Sequence, residues 1–195
     1  MEEMINRLLQ FGHLNNPQIE LIKSKVYELA LPKGSYFSEA GKIADKVGFT
    51  IEGIIRVCYY NKDGEEFTRC FILENRFIAD MNSFYNETAC AEYIEALTDC
   101  RLLVMNKEAF NELANTIIPW NDIFAKMTSQ ALMAKLQTGR EMLAQDASTR
   151  YLKFLEQNPG LANKIPLSAL ASYLGITQSS LSRIRKGVKN TNLKM

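Results

Sequence analysis

The spacing of apolar residues predicts a β-rich middle stretch flanked by helices. Residues 1–25 have apolar positions at helical spacing, and the pair Asn16-Pro17 is typical of a helix start. From residue 27 to about 104, glycines separate short apolar runs. These runs predict strands at 49–51, 54–60, 67–72 and 93–97, with a hairpin turn at Asp63-Gly64. Short strands at this spacing predict a sandwich or barrel rather than βαβ units.

After about residue 107 the pattern becomes helical. A short helix is predicted at 107–114, and Pro119 suits the first position of a helix that reaches about Ala144. At 1.5 Å per residue this helix would be roughly 39 Å long. Its apolar stripe could pack on its own barrel or pair with a second copy. Because the helix outreaches a small barrel, we expect a homodimer interface formed by Trp120, Ile123, Phe124, Met127, Ala131 and Ala134.

Charge is distributed unevenly along the 195-residue chain, whose net charge is +1. Residues 157–195 contain six basic side chains and no acidic one. All 22 acidic residues therefore lie in residues 1–156, together with the other 17 basic ones. An acidic body followed by a basic C-terminal segment indicates a polyanionic partner at that end, although a bland basic surface would give the same count.

Several classes of site and location are disfavoured. No apolar run approaches the ~20 residues of a membrane span, and the acidic N-terminus is unlike a secretory signal, so we expect a cytoplasmic protein without membrane contact. The cysteines are Cys58, Cys70, Cys90 and Cys100. They lack metal-ligand spacing, so we expect no metal and interpret them as core residues, with a redox switch as the alternative. No catalytic constellation is present, so we expect neither an enzyme nor a cofactor.

Residues 167–185 contain the sharpest functional signal. Two short helices that cross steeply need apolar residues at fixed inner positions, a small residue at the crossing and a glycine at the turn. This segment supplies them as Leu170, Ala171, Leu174, Gly175, Ile176, Leu181 and Ile184. The spacing predicts a helix-turn-helix. A generic helical hairpin is the alternative, which the alanine, the glycine and the absence of acidic residues disfavour.

The second of these helices, at about 177–186, would be the recognition helix, with Thr177 as its N-cap. Glutamine can bind adenine bidentately and arginine can bind guanine, whereas short hydroxyls and helix N-terminal amides suit phosphates. The residues that we expect to contact double-stranded DNA are Thr177, Gln178, Ser179, Ser180, Ser182, Arg183, Lys186 and Lys189.

With these residues in view, the chain resembles the Crp/Fnr family of bacterial regulators over nearly its full length. Residues 165–186 are similar to the family's DNA-reading segment almost residue by residue. The segments at 31–34, 51–56 and 62–66 are similar in sequence to parts of the family's cyclic-nucleotide-binding barrel. The resemblance implies an α+β protein with an N-terminal jelly-roll β-barrel, a long dimerisation helix and a C-terminal all-α helix-turn-helix domain.

Two departures from the family pattern matter. Members that bind cyclic AMP have a glycine-glutamate that holds the ribose and, ten residues after the glutamate, an arginine-serine that holds the phosphate. Ala79-Asp80 and Cys90-Ala91 occupy these positions, so we expect an effector other than cyclic AMP, or none. The family also continues into a β-hairpin wing, whereas nine residues follow Lys186, so we expect a truncated or missing wing.

These observations predict a sensor domain at 1–117, a dimerisation helix at 118–145 and a helix-turn-helix domain at 146–195. The leading hypothesis is a sequence-specific transcription regulator that binds a near-palindromic DNA site as a homodimer. RNA polymerase and an unidentified small-molecule effector are further candidate partners. The alternative is a ligand-binding regulatory module whose helical tail binds a protein, which the basic tail disfavours.

Overall fold

The computed structural model describes residues 1–192, and their side chains as far as residue 188. The chain divides into two compact units. The first comprises Met1–Cys58 and Phe71–Met133, and the second comprises Tyr59–Cys70 and the residues from Ala134 onward. None of the helices in the described part of the chain is long and apolar enough to cross a membrane.

Helices precede and follow a β-rich stretch that one short helix interrupts. In chain order the elements are α1 (Glu2–Leu9), α2 (Asn16–Ser24), β1 (Tyr27–Leu31), β2 (Tyr36–Ser38), β3 (Lys46–Glu52), β4 (Ile55–Tyr60), β5 (Glu66–Ile72), β6 (Phe77–Ile78), α3 (Met81–Asn86), β7 (Tyr93–Ala96), β8 (Cys100–Asn106), α4 (Lys107–Thr116), α5 (Trp120–Ala144), α6 (Ala147–Gln157), a 3-10 turn (Leu161–Asn163), α7 (Leu167–Tyr173) and α8 (Gln178–Asn192).

The strands form two four-stranded sheets, with the orders β1-β8-β3-β6 and β2-β7-β4-β5. This exchange of strands between two sheets is the order of a jelly roll. The expected β-rich domain is therefore present as a two-sheet sandwich, and the strand pairs that the structure describes do not close it into the barrel that we expected. The edge strands β2 and β6 have only three and two residues, which is too short to extend the pairing from one sheet to the other.

Burial alternates along β7, whereas the first four residues of β4 are all buried, and one face of this strand pair lies in the core. Two register pairs are at most 3% exposed, Ile55 with Ala96 and Val57 with Ile94. On the opposite face Arg56 lies across from Glu95, and the guanidinium and carboxylate form an ion pair with an N–O distance of 2.7 Å. The period of two therefore separates the apolar core from a paired polar face.

Aromatic rings join the start of the long helix α5 to the sandwich core. The rings of Trp120 and Phe124, one turn apart, have centroids 5.0 Å apart. The Phe124 ring also lies 4.8 Å from that of Phe110 on α4 and 5.5 Å from that of Phe77 on β6. Such pairs stabilise a core by roughly 0.5–1.5 kcal/mol each beyond the burial of apolar area. The first turns of α5 are thus an integral part of this core.

This burial corrects part of the expected dimer interface. Trp120 and Ile123 are fully buried and Phe124 is 2% exposed, so these three side chains have no surface left for a second copy. Met127 also packs against the core of its own unit. The sequence left open the alternative that the apolar stripe packs on its own domain. The first two turns of α5 do so. Of the expected interface residues, Ala131 and Ala134 are exposed.

One arginine connects three helices of the second unit. The Arg150 guanidinium on α6 donates hydrogen bonds to the carbonyls of Met142 and Gln145 at the end of α5. Its Nε and Nη2 atoms donate to the carbonyl of Leu174 at the end of α7, at 3.2 and 2.8 Å. The last carbonyls of a helix lack partners within that helix, and hydrogen bonds from a charged donor are stronger than neutral ones. Arg150 therefore fixes the ends of α5 and α7 to α6.

Several elements differ from the sequence-based expectation, and strands β1, β2, β6 and β8 were not individually predicted. Helix α3 was not predicted, because six residues are too few for a clear periodicity. Helix α6 begins after Asp146, whose carboxylate accepts the amide hydrogens of Ser148 and Thr149 as an N-cap. Helix α8 extends beyond Lys186 to Asn192.

We expect Phe124→Ala to lower the free energy of unfolding by about 3–5 kcal/mol, because it removes a buried ring and leaves a cavity. The only tryptophan of the chain, Trp120, neighbours that ring, so urea unfolding followed by tryptophan fluorescence reports the change. Ile118→Ala is the matched control, since Ile118 is 95% exposed; its loss should stay below about 0.5 kcal/mol. Equally small losses in both variants would contradict the core position of Phe124.

Candidate nucleic-acid interface

Helices α7 and α8 are joined by a short turn whose inner residues are buried. Leu170, Leu174 and Leu181 are fully buried and Ala171 is 2% exposed, as the predicted inner positions require. Gly175 has a φ of +67°, a left-handed conformation that favours glycine. The Ile176 amide then donates to the Ala171 carbonyl at 3.0 Å and closes the turn. Ile176 and Ile184 are half-buried.

Thr177 caps the N-terminus of α8. Its Oγ1 accepts the amide hydrogen of Ser180 at 3.2 Å, the bond expected of an N-cap. The same oxygen lies 3.0 Å from the hydroxyls of both Ser179 and Ser180. Three hydroxyls therefore meet at the helix end, where the backbone dipole favours an anion.

The outer face of α8 presents polar and basic side chains. Gln178, Ser179, Arg183 and Lys186 are exposed, and Ser180 and Ser182 are half-buried. The Arg183 Nη2 atom lies 3.4 Å from the Ser180 hydroxyl, so the guanidinium extends back towards the first turn of the helix. Lys189 also belongs to α8, but its side chain lies outside the described residues. The remaining predicted contact residues thus share one accessible helix end and face.

Arg185 has a structural position on the same helix. Its Nη2 donates to the Ala162 carbonyl at 2.7 Å, and the guanidinium lies 6.0 Å from the centre of the Tyr151 ring. The side chain therefore fixes α8 to the 3-10 turn and to α6 and points away from the exposed face. A count of basic residues treats Arg185 and Arg183 alike. Their positions around the helix axis differ, and only Arg183 lies on the exposed face.

The residues that follow Lys186 continue the helix and do not form a wing as far as the structure describes them. Helix α8 has 15 residues, which corresponds to a length of about 22 Å. It is therefore longer than the predicted recognition helix, and its second half extends the basic segment along one axis.

The expected effector-pocket residues lie around the short helix α3. Asp80 is the N-cap of α3, and its carboxylate accepts the Ser83 amide hydrogen at 3.0 Å. Cys90 is 4% exposed, and its Sγ lies 3.1 Å from the Ser38 hydroxyl. Ala79 is half-buried and Ala91 is exposed. Asp80 thus stabilises a helix end, and Cys90 is a buried thiol beside a hydroxyl.

An open cleft of about 200 Å³ lies beside Asp80, smaller than the roughly 300–1,000 Å³ of most ligand pockets. Its two lysines already have carboxylate partners: Lys42 lies 2.7 Å from Glu39, and Lys46 lies 3.2 Å from Asp45. With Asp80, three carboxylates and two paired lysines line the cleft. This lining disfavours a phosphate.

The cysteines occupy the positions that core residues would take. Cys58, Cys90 and Cys100 are buried and Cys70 is half-buried. Burial raises the pKa of the Cys58 and Cys100 thiols, which keeps them protonated. No cluster of potential metal ligands occurs among the residues that the structure describes.

Sequence comparison identifies the sandwich. Residues 28–116, from β1 to the end of α4, match the family model of the cyclic nucleotide-binding domain. No curated protein sequence matches the chain significantly.

Solved structures share the fold at low sequence identity. A transcriptional regulator assigned to the Crp/Fnr family, from Eubacterium rectale, is 15% identical, with a TM-score of 0.74 over 91% of this chain and 85% of that chain. FixK2 from Bradyrhizobium japonicum is 16% identical, with a TM-score of 0.74 over 86% of each chain. The c-di-GMP-responsive global regulator CLP from Xanthomonas campestris is 15% identical, with a TM-score of 0.72 over 92% of this chain and 94% of that chain. The chain therefore contains a cyclic nucleotide-binding type sandwich and has the fold of these regulators, as its resemblance to the Crp/Fnr family implied.

Proposed function

We propose that this protein is a sequence-specific DNA-binding transcription regulator of the Crp/Fnr type that acts as a homodimer. The observation that supports this function best is the exposed polar and basic face of α8, which a buried two-helix scaffold with a Gly175 turn presents to solvent. No acidic residue follows Glu156, so nothing on this helix repels a polyanion. Selection of bound DNA from a random library tests the function. Failure to enrich any sequence would contradict it.

In this function α8 is the recognition helix in the major groove. Gln178 and Arg183 are the base-reading candidates, because an amide and a guanidinium can each bind a base edge with two hydrogen bonds. Ser179 and Ser182 lie beside them and can bind either bases or phosphates. The hydroxyls of Thr177 and Ser180, and the charge of Lys186, suit the phosphate backbone. Phosphate contacts orient the helix, and base contacts provide the sequence preference.

The homodimer would form through the exposed face of α5. Six positions lie alternately four and three residues apart and share one face of the helix: Ala125, Ser129, Leu132, Leu136, Gly139 and Leu143. All six are exposed, with Leu132 and Leu136 at 52% and Leu143 at 92%. This is the spacing of a two-helix coiled coil. It replaces the interface that we first expected, which lies largely on the opposite side of the helix.

Gly139 supports close approach at this face. A glycine inside a helix costs roughly 0.5–1 kcal/mol relative to alanine, and, apart from its neighbours in the same helix, no atom of the described residues lies within 4 Å of where its Cβ would be. The single chain therefore gains nothing from the missing side chain, whereas a partner helix could pack directly against the backbone. A dimer would place two recognition helices about 34 Å apart, one turn of DNA.

We expect Arg183→Ala to weaken specific DNA binding roughly 5- to 150-fold and to relax the preference at one base position of each half-site. Lys186→Ala should instead lower affinity for all sequences alike. It should also reduce the slope of the logarithm of the binding constant against the logarithm of salt concentration by about one unit. Competition assays on single-base variants of the selected site, at two salt concentrations, measure both effects. A uniform loss across the variants for Arg183→Ala would assign that residue to the phosphate backbone.

The dimer is tested by Leu136→Asp, which should convert the protein to a monomer, because a buried carboxylate without a partner is costly in a coiled-coil seam. Light scattering at micromolar concentration measures the mass. Ala134→Asp is the matched control: it adds the same charge to an exposed position of α5 outside the seam and should leave the dimer intact. The proposed seam would be contradicted if the wild-type protein were a monomer. It would also be contradicted if Ala134→Asp dissociated the dimer and Leu136→Asp did not.

The effector site should not bind cyclic AMP or cyclic GMP at physiological levels. Cys90 and Ala91 offer no cation to the cyclic phosphate, and the cleft beside Asp80 is lined by three carboxylates. Isothermal titration calorimetry with each nucleotide checks this expectation. Micromolar affinity for either nucleotide would overturn it.

A further inference from the structure

A single hydroxyl bonds α7 to the tip of the β4–β5 hairpin. Ser172 Oγ donates to the Glu66 carbonyl at 2.8 Å and accepts the amide hydrogen of Thr68 at 2.7 Å. Ser172, Glu66 and Thr68 belong to the same compact unit, which combines the hairpin tip with the C-terminal helices. The bridge therefore links the β structure to the helix that precedes the proposed recognition helix.

The bridge uses backbone groups that an edge strand leaves open. Strand β5 is the last strand of the order β2-β7-β4-β5. The carbonyl before Phe67 and the amide after it point to the same edge of the strand, where a further strand would bind both. Ser172 satisfies this donor and this acceptor with one oxygen atom. Loss of the hydroxyl would leave both backbone groups without that partner.

The hairpin tip is a stiff element. The rings of Tyr59 and Phe67 stack across it, with centroids 5.3 Å apart and planes 13° apart. At the turn, the Asn61 side chain accepts the amide hydrogens of Asp63 and Glu65, each at 2.9 Å. Strand β4 continues from this tip into its pairing with β7. Within its own unit, α7 is thus bonded to a hairpin that stacking and turn hydrogen bonds hold together.

On the helical side, the bridge belongs to the last turn of α7. Tyr173, the next residue, has its ring 5.5 Å from that of Phe154 on α6. Leu174, the residue after that, has its carbonyl bound by Arg150. Ser172 lies outside the buried Leu170, Leu174 and Leu181 scaffold that joins α7 to α8. The hydroxyl therefore orients the helix pair on the hairpin without being needed to hold the pair together.

We propose that Ser172 is a positioning residue for DNA recognition, which rests on the proposed function. With the bridge formed, Gln178, Ser179, Arg183 and Lys186 remain exposed, so the bridge leaves the proposed contact residues accessible. Two recognition helices in a dimer must enter grooves at a fixed spacing. An α7 held by Ser172 restricts the orientation of each recognition helix, and this raises affinity for correctly spaced half-sites.

The bridge itself is tested without DNA by hydrogen exchange in the full-length protein. Ser172→Ala should speed exchange of the Thr68 amide, measured by NMR, about 5- to 30-fold, the factor that corresponds to one or two lost hydrogen bonds. Ser168→Ala, the same change at an exposed position one turn earlier on α7, is the control and should leave the Thr68 rate unchanged. An unchanged rate in Ser172→Ala would overturn the bridge.

The positioning role is tested by affinity for the selected site and for versions with one base pair added or removed between the half-sites. Ser172→Ala should bind the correctly spaced site about 5- to 30-fold more weakly than wild type. Its affinity for the altered sites should stay within about twofold of wild type, so the ratio of affinities for correct and altered spacing becomes smaller. An equal loss at every spacing, no loss, or tighter binding would overturn the role. If the wild-type protein enriches no DNA, both the function and the role fail, while the exchange experiment still decides whether the bridge exists.

Discussion

The burial of the first turns of α5 is the constraint on which the remaining organisation depends. Trp120, Ile123 and Phe124 complete the core of the sandwich, so the axis and rotation of the helix are fixed before its exposed part begins. The face that bears Leu132 and Leu136 then follows from the helical repeat alone, because positions four and three residues apart stay on one side. In the proposed homodimer, that face would form the seam between the two copies.

In the second unit a comparable constraint comes from a charged side chain in addition to apolar packing. The Arg150 guanidinium joins the ends of α5 and α7, so the turn at Gly175 begins at a fixed point. Each of these helix ends would otherwise leave carbonyls to water. Ser172 adds a neutral contact on the same turn of α7. The polar bonds therefore orient the helices, and the buried leucines between α7 and α8 keep the pair together.

The sequence predicts those features whose requirements are local. The α7–α8 pair needs a small residue, a glycine and apolar residues within fewer than twenty positions, and each was identifiable. The buried face of α5 was not identifiable in this way, because apolar residues occur on both sides of the helix. Spacing alone does not tell which side packs on its own domain and which side is exposed. A 3-4 spacing of Leu132, Leu136, Gly139 and Leu143 was present in the sequence and would have indicated the exposed seam. Arg150 and Ser172 gave no signal, since both bind backbone atoms, whose positions no residue pattern in the sequence marks.

Charge placement connects the sandwich with the proposed function. A cyclic nucleotide and DNA both present phosphates, so the placement of unpaired cations indicates which of the two ligands a site can accommodate. Around the cleft, Lys42 and Lys46 are each paired with a carboxylate. On α8, Arg183 and Lys186 are exposed on a segment that lacks acidic residues. In the proposed function this charge distribution would steer DNA towards α8 at low ionic strength, and screening would shorten its reach to about 8–10 Å near physiological salt. The match to a cyclic nucleotide-binding domain therefore defines the sandwich, whereas the proposal of DNA as the phosphate ligand rests on the exposed cations of α8.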